Sequence, residues 1–257
     1  MELLANYFRQ DLFSHLGEWV VAASMVLVRV LAFMHMAPIF SHKSVSNMAR
    51  MGFAVLVTAM LFSAKEFETP PGEGYHLIYP IIVNVALGLL MGFVAKMMFA
   101  IPTAGGEMMD SSMGFSSGQT FDPSSGHQTT IIGRFMSTLV IVVYFAVSGP
   151  EMLLRGLSNS FDSFGLYNPN MQIDIAKLIG LSGDIIEMGF LIVSPVVLTI
   201  LVNDIVLGLI SRASPQINAF QISFTIKPSI GSIIFLIIMP LYFMGLTSLL
   251  TDTSRLF

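Results

Sequence analysis

Residues 78–101 read IYPIIVNVALGLLMGFVAKMMFAI, with Lys96 the one charged side chain among them. A hydrocarbon layer about 30 Å thick is spanned by roughly 20 mostly apolar residues in helical form. A helix also satisfies its own backbone groups where water is missing. This segment therefore sets the fold class, an all-α membrane protein. Composition agrees: 54% of the 257 residues are hydrophobic and 11% are charged, against about 25% charged in soluble domains. The formal net charge of −4 argues against a nucleic-acid partner. Cysteine is absent, which removes disulfides, thiol nucleophiles and Cys-ligated metals. The opening MELLANYFRQDLFSHLGE mixes acids with apolar residues and has no basic start, so no cleavable signal peptide is expected.

Outward from this run lie five more apolar segments, at about 19–40, 48–64, 131–147, 175–210 and 230–250. About six long helices are thus expected. The first contains Arg29, and the fourth has Arg134 near its start. The fifth is interrupted by Asp184, Glu187, Pro195 and the pair Asn203-Asp204. A charge at a span centre costs about 2.5–3.5 kcal/mol on insertion scales. Arg29, Asp184 and Glu187 therefore call for a protein interior, a partner or water around them. Asp184 and Glu187 share a helix face. Pro195 should kink its helix, and Pro80 and Pro240 act similarly near helix ends or in the last segment. Gly88 and Gly92 form a GxxxG pair suited to close helix packing.

The basic residues give no orientation. Lys43, Arg50, Lys96, Arg134, Arg212 and Lys227 fall on one side, and Arg9, Lys65, Arg155, Lys177 and Arg255 on the other. The positive-inside rule needs a clearer bias, which points to placement that depends on partners. No internal repeat of the secondary-transporter kind is visible. Walker, GxSxG and HExxH motifs are also missing. The histidines at 15, 35, 42, 76 and 127 lack ligand spacing. No enzyme activity, cofactor or metal is expected.

The connector after the third segment, GGEMMDSSMGFSSGQTFDPSSGHQTT at 105–130, is long and has no Lys or Arg. Structureless loops above about 12–15 residues tend to be functional or disordered. Of 19 methionines, 13 lie in the first 113 residues. Methionine fits irregular gaps and adaptable surfaces. Loose helix packing is one reading of Met108, Met109 and Met113; a soft contact around a pore is the other. Phe115 and Phe121 add apolar anchors, so an ordered or conditionally ordered loop is expected.

These residues resemble the central loop of the flagellar export-gate FliR family and its virulence-secretion relatives: Glu107-Met-Met-Asp110, then Gly114, then Asp122-Pro123. Further matches keep their order: Ser160-Phe161, Ser194-Pro195-Val196-Val197, the block Arg212-Ala-Ser-Pro215-Gln216-Ile-Asn218-Ala-Phe220, and Ile226-Lys227. The resemblance covers nearly the whole chain as one domain, 1–257. Ser148-Gly149-Pro150 departs from the Asn-Gly-His common in FliR-like chains.

The resemblance implies a non-enzymatic subunit of the flagellar type III protein export gate, in the bacterial inner membrane at the basal body. It implies helical hairpins that wind with FliP and FliQ into a helical assembly, largely above the membrane plane, contacted by FlhB and by membrane lipid. Unfolded flagellar proteins would pass through it. Residues 102–130 would form a plug-like loop, with Met108, Met109, Met113, Phe115 and Phe121 occluding the channel. Glu107 and Asp110 would pair with neighbouring subunits or the channel wall, and Asp184 and Glu187 would be inter-subunit or structural polar residues. Arg212, Pro215, Gln216 and Asn218 would shape the turn before the last helix, serving a partner or simply the helix ends. The equivalent subunit of a virulence system is the sibling reading. An autonomous ion-coupled transporter using Asp184, Glu187 and Lys96 is the competing class.

Overall fold

The structure, a computed structural model, describes residues 2–41, 45–67, 77–115, 130–167, 175–216 and 218–254. These residues form seven helices and no strand: α1 Glu2–Met36, α2 Asn47–Ala64, α3 Ile78–Met113, α4 Ile131–Ala146, α5 Gly149–Ser163, α6 Ile175–Ala213 and α7 Ala219–Ser254. Five helices are long and apolar enough to cross a membrane, or up to six if the bent α4–α5 pair counts as one span. The chain is an all-α membrane protein.

The elements sort into two compact units. The first comprises residues 1–96 and 153–174, apart from the last residue of the chain. Its α1 buries Ala22, Met25, Val26, Arg29, Val30, Phe33 and Met34. That spacing of three and four is one stripe of a helix. Pro38 follows the helix end, where the residue before a proline is steered out of the helical region. Arg50 Nε donates to the Phe40 carbonyl at 3.0 Å, and Phe40 stacks on Phe53 at 5.1 Å. Ser46 caps α2 by accepting from Ala49 N at 3.2 Å. The GxxxG pair works as a seam inside the chain. A Cβ on Gly92 would lie 2.6 Å from Met36 Cβ and 2.7 Å from the Phe33 carbonyl, and one on Gly88 would strike the Arg29 carbonyl. Glycine lets the α1 and α3 backbones approach this closely.

The second unit comprises residues 97–152 and 175–256. Its core joins Met109, Met113, Ile132, Met136, Val193, Val196, Ile200 and Tyr242. Small residues again set the spacing: a Cβ on Gly106 would meet Gly133 Cα at 2.9 Å, and one on Gly105 would meet Val193 Cγ2 at 2.5 Å. The α6–α7 pair is the most extensively packed, and Lys227 Nζ lies 2.6 Å from Asp204 Oδ1 across it.

Of the differences from the sequence reading, two bear on the residues singled out there. The expected loop at 102–130 begins as helix, because α3 continues through Pro102, Gly105 and Gly106 to Met113. Packing of Gly105 and Gly106 against neighbouring helices outweighs their weak helix propensity. The helix stops at Gly114, whose φ of +81° suits a glycine just past a helix end. The remainder of the expected loop, 116–129, lies outside the described residues, Phe121 and Asp122 included. The second difference is α5, which the apolar pattern did not predict. Pro150 stands in its first turn, where a missing N–H costs nothing, and Glu151 there suits the positive end of the helix dipole.

Candidate functional site

The last turns of α3 carry most of the residues singled out in the sequence. A helix advances about 100° per residue, so positions 109, 110 and 113 face inward while 107 and 108 face outward. Met109 and Met113 are 0% exposed, and Asp110 is 1% exposed. Met108 is 45% exposed, and Glu107 is exposed beside it. Phe115 packs partly buried against the same core. The three methionines read together as pore contacts therefore divide. Met109 and Met113 are core side chains of this unit, and Met108 is the one on a surface.

Tyr242 Oη donates to Met109 Sδ at 3.2 Å, which satisfies a buried hydroxyl inside an apolar cluster. Met113 lies against Gly231, where a Cβ would come within 2.5 Å of its Cγ. Asp110 Oδ2 accepts from the Ile132 backbone N at 3.2 Å. Ile132 N is in the first turn of α4, whose leading N–H groups have no partner within the helix. Thr130 Oγ1 takes the Gly133 N–H at 3.1 Å. Thr130 and Asp110 thus divide the capping of α4, one from its own segment and one from α3. A carboxylate also suits the positive end of a helix dipole. Asp110 Oδ1 is buried and has no partner among the described residues.

The other predicted polar residues are placed apart from this cluster in sequence and role. Glu187 is exposed on α6, and the Asp184 side chain lies outside the described set. Lys96 is exposed on α3. Arg212 occupies the last turn of α6, where a cation meets the negative end of the dipole. Pro215 and Gln216 are exposed in the turn that follows, and Asn218 Oδ1 caps α7 by accepting from Gln221 N at 3.3 Å. That block works as a helix-to-helix turn. No group of three or more His, Cys, Asp or Glu side chains could hold a metal among the described residues.

The partner of Arg29 is the feature that sequence reading missed. Its Nε donates to Asn84 Oδ1 at 2.8 Å, and its Nη1 to the Ser160 carbonyl at 2.9 Å and Ser160 Oγ at 3.3 Å. Its Nη2 donates to the carbonyls of Phe164 at 3.1 Å and Gly165 at 3.2 Å. The Phe161 ring sits 4.2 Å from Cζ, a cation–π distance. Asn84 is held in turn, donating to the Pro80 carbonyl at 2.7 Å and the Leu166 carbonyl at 3.0 Å. These acceptors are all neutral. Three of them are carbonyls at the C-terminal end of α5, which carries the negative pole of the helix; the Ser160 carbonyl also accepts the Phe164 N–H at 3.0 Å. Of the surroundings the sequence left open for Arg29, the structure supplies a protein interior, where the planar guanidinium fork fits spread neutral acceptors. The available signal was Asn84, the one amide in the apolar run 78–101.

The sequence profile described as "Bacterial export proteins, family 1" matches residues 20–253. The chain is 29% identical to the flagellar biosynthetic protein FliR of Bacillus subtilis, over 90% of this chain and 92% of that protein. It is 24% identical to FliR of Escherichia coli, over 87% of this chain and 86% of that one. It is 26% identical to the surface presentation of antigens protein SpaR of Salmonella typhimurium, over 88% and 86% respectively. Because the profile runs along nearly all of α1 to α7, the chain belongs to the bacterial export proteins, family 1.

Proposed function

We propose that the chain is a non-enzymatic structural subunit of the flagellar type III protein export gate, in the inner membrane at the flagellar basal body. It would line the path of unfolded flagellar proteins together with FliP and FliQ, and FlhB would contact it. The supporting observation is the apolar surface that the chain leaves uncovered on its two longest-packed helices. Leu198, Leu201, Val202, Ile205 and Leu209 on α6 are exposed, as are Ile233, Leu236, Ile237 and Leu241 on α7. Lipid and fellow subunits both suit such faces. The similarity to FliR proteins favours the flagellar reading, and the similarity to SpaR supports the equivalent virulence subunit as the second.

The plug falls to the segment that follows Gly114, with Met108 and Glu107 on the outer face of its root. Met109 and Met113 would hold that root in place. The test is ion leakage in cells expressing the whole gate. Replacing residues 116–129 with a Gly/Ser linker should raise permeability while the gate still assembles. Unchanged permeability in an assembled gate would remove the plug role.

A further inference from the structure

Between Glu187 and Arg212, Asp204 is the one charged residue of α6, and between Ala219 and Leu250, Lys227 is the one charged residue of α7. The two meet across the hairpin, with Lys227 Nζ 2.6 Å from Asp204 Oδ1. The pair is lopsided. The Asp204 side chain is 43% exposed and that of Lys227 23%, so the outward end of this dipole is the carboxylate. A carboxylate accepts at both oxygens, and only Oδ1 has a partner among the described residues. The acid is also reachable. Gly208 lies one turn beyond Asp204 on the same helix face, and a Cβ there would meet nothing within 4 Å. It leaves a notch beside the carboxylate. Leu201, one turn back, and Ile205 are exposed around it.

We propose that Asp204 and the Gly208 notch receive a membrane helix of a fellow subunit, one that carries a lysine or arginine within an apolar run. The inference rests on the reading of the chain as a subunit of a membrane assembly. Exposed apolar surface such as that of Leu201 and Ile205 marks a face that is covered in use, and covering it takes water from Asp204. An ion taken out of water needs its hydrogen-bonding capacity filled, and Lys227 fills one oxygen only. Hydrocarbon brings no donor; a fellow helix can. The outward negative end of the pair is complementary to a cation. Arg212, the next charge along α6, is eight residues on, about 12 Å along the axis, so it does not fill the place. A basic residue in an apolar helix has the matching need, since it requires an acid or a polar surrounding. With Leu201 and Ile205 packed around it, the new ion pair would be closed off from water, as charged centres of interfaces are.

The test is affinity capture of the tagged full chain from membranes, with its companions identified by mass. Gly208→Leu fills the notch at a position where a Cβ touches nothing else in the chain, so the fold should survive, as an unchanged limited-proteolysis pattern would show. It should lower recovery of one companion about tenfold. Asp204→Asn keeps the shape and loses the charge, and should lower recovery of the same companion by a similar factor; Asp204→Glu should retain most of it. Should Asp204→Asn fail to fold, Gly208→Leu decides. The affected companion should carry a lysine or arginine in a membrane helix. Full recovery with Gly208→Leu would leave the face to lipid and overturn the proposal, and full recovery with a folded Asp204→Asn would do so by removing the role of charge. An affected companion without such a basic residue would overturn it as well, as would a differently tagged second copy of this chain in its place. A wild-type chain that captures no membrane protein would sink the subunit reading itself; wild-type capture that neither substitution weakens would sink this contact alone.

Discussion

Arg29 shows how a buried cation is tolerated without an acid. A buried charge left without partners costs several kcal/mol. Here five donor–acceptor contacts from Asn84, Ser160, Phe164 and Gly165 surround it. Arg29→Ala would strand buried neutral acceptors and should destabilise the protein by at least about 1–3 kcal/mol, the cost of leaving one such group unpaired. Arg29→Lys keeps the charge but concentrates its donors on one atom, so it should recover well under half of that loss. Thermal unfolding of the detergent-solubilised protein reads both; full recovery with lysine would show that charge alone matters. Asp110 gives a second test. Asp110→Asn retains an acceptor for Ile132 N and should stay within about 1 kcal/mol of the wild type, whereas Asp110→Ala leaves that buried N–H unpaired and should cost about 1–3 kcal/mol. The need for a partner at Arg29 was legible in the sequence, because a charge in an apolar run is costly. The identity of the partner was not. Ser160, Phe164 and Gly165 offer backbone carbonyls, which leave no mark in side-chain chemistry.

At the scale of elements, close helix contacts depend on glycines whose missing side chains admit a neighbour. Gly106→Ala would place a methyl 2.9 Å from Gly133 Cα and should cost about 1–3 kcal/mol by overpacking. Gly208→Ala meets nothing within 4 Å and should be neutral or stabilising by up to about 1 kcal/mol. Comparing the two unfolding temperatures separates packing from propensity; equal effects would contradict the contact assignment. The apolar segments were legible from hydropathy alone, and α1, α2, α4, α6 and α7 overlap them. Where the reading ended α3 too soon, the cause is identifiable. Gly, Ser and acid at 105–112 look like a connector, yet they alternate inward and outward with helical period, so Met109 and Met113 are core while Ser111 is exposed. Exposed polar positions on α5 hid that helix from a test for apolar runs. Residues 105–113 of the 105–130 motif thus belong to a helix end, while 116–129 lie outside the described residues.

At the scale of the whole molecule, α2, α6 and α7 each leave large apolar side chains exposed. Met48, Met51, Leu56 and Met60 on α2 add to those on the later helices. Contiguous apolar surface of this kind marks a protein or membrane interface. A chain built this way should be poorly behaved when separated from its partners, with the α6–α7 pair the most dependent on them. Replacing Leu201 and Ile205 with Ser should therefore reduce recovery of the assembled gate while leaving the Arg29 and Asp110 contacts of the chain intact, as read by limited proteolysis. Unaltered assembly would place these side chains against lipid only. The most decisive measurement is affinity capture of the tagged chain from membranes, with mass determination of what comes with it and a liposome flux assay on the chain alone. An export-gate subunit predicts stoichiometric capture of FliP- and FliQ-like membrane proteins and no solute flux from the single chain. A stable, monodisperse single chain that moves solute by itself would contradict it.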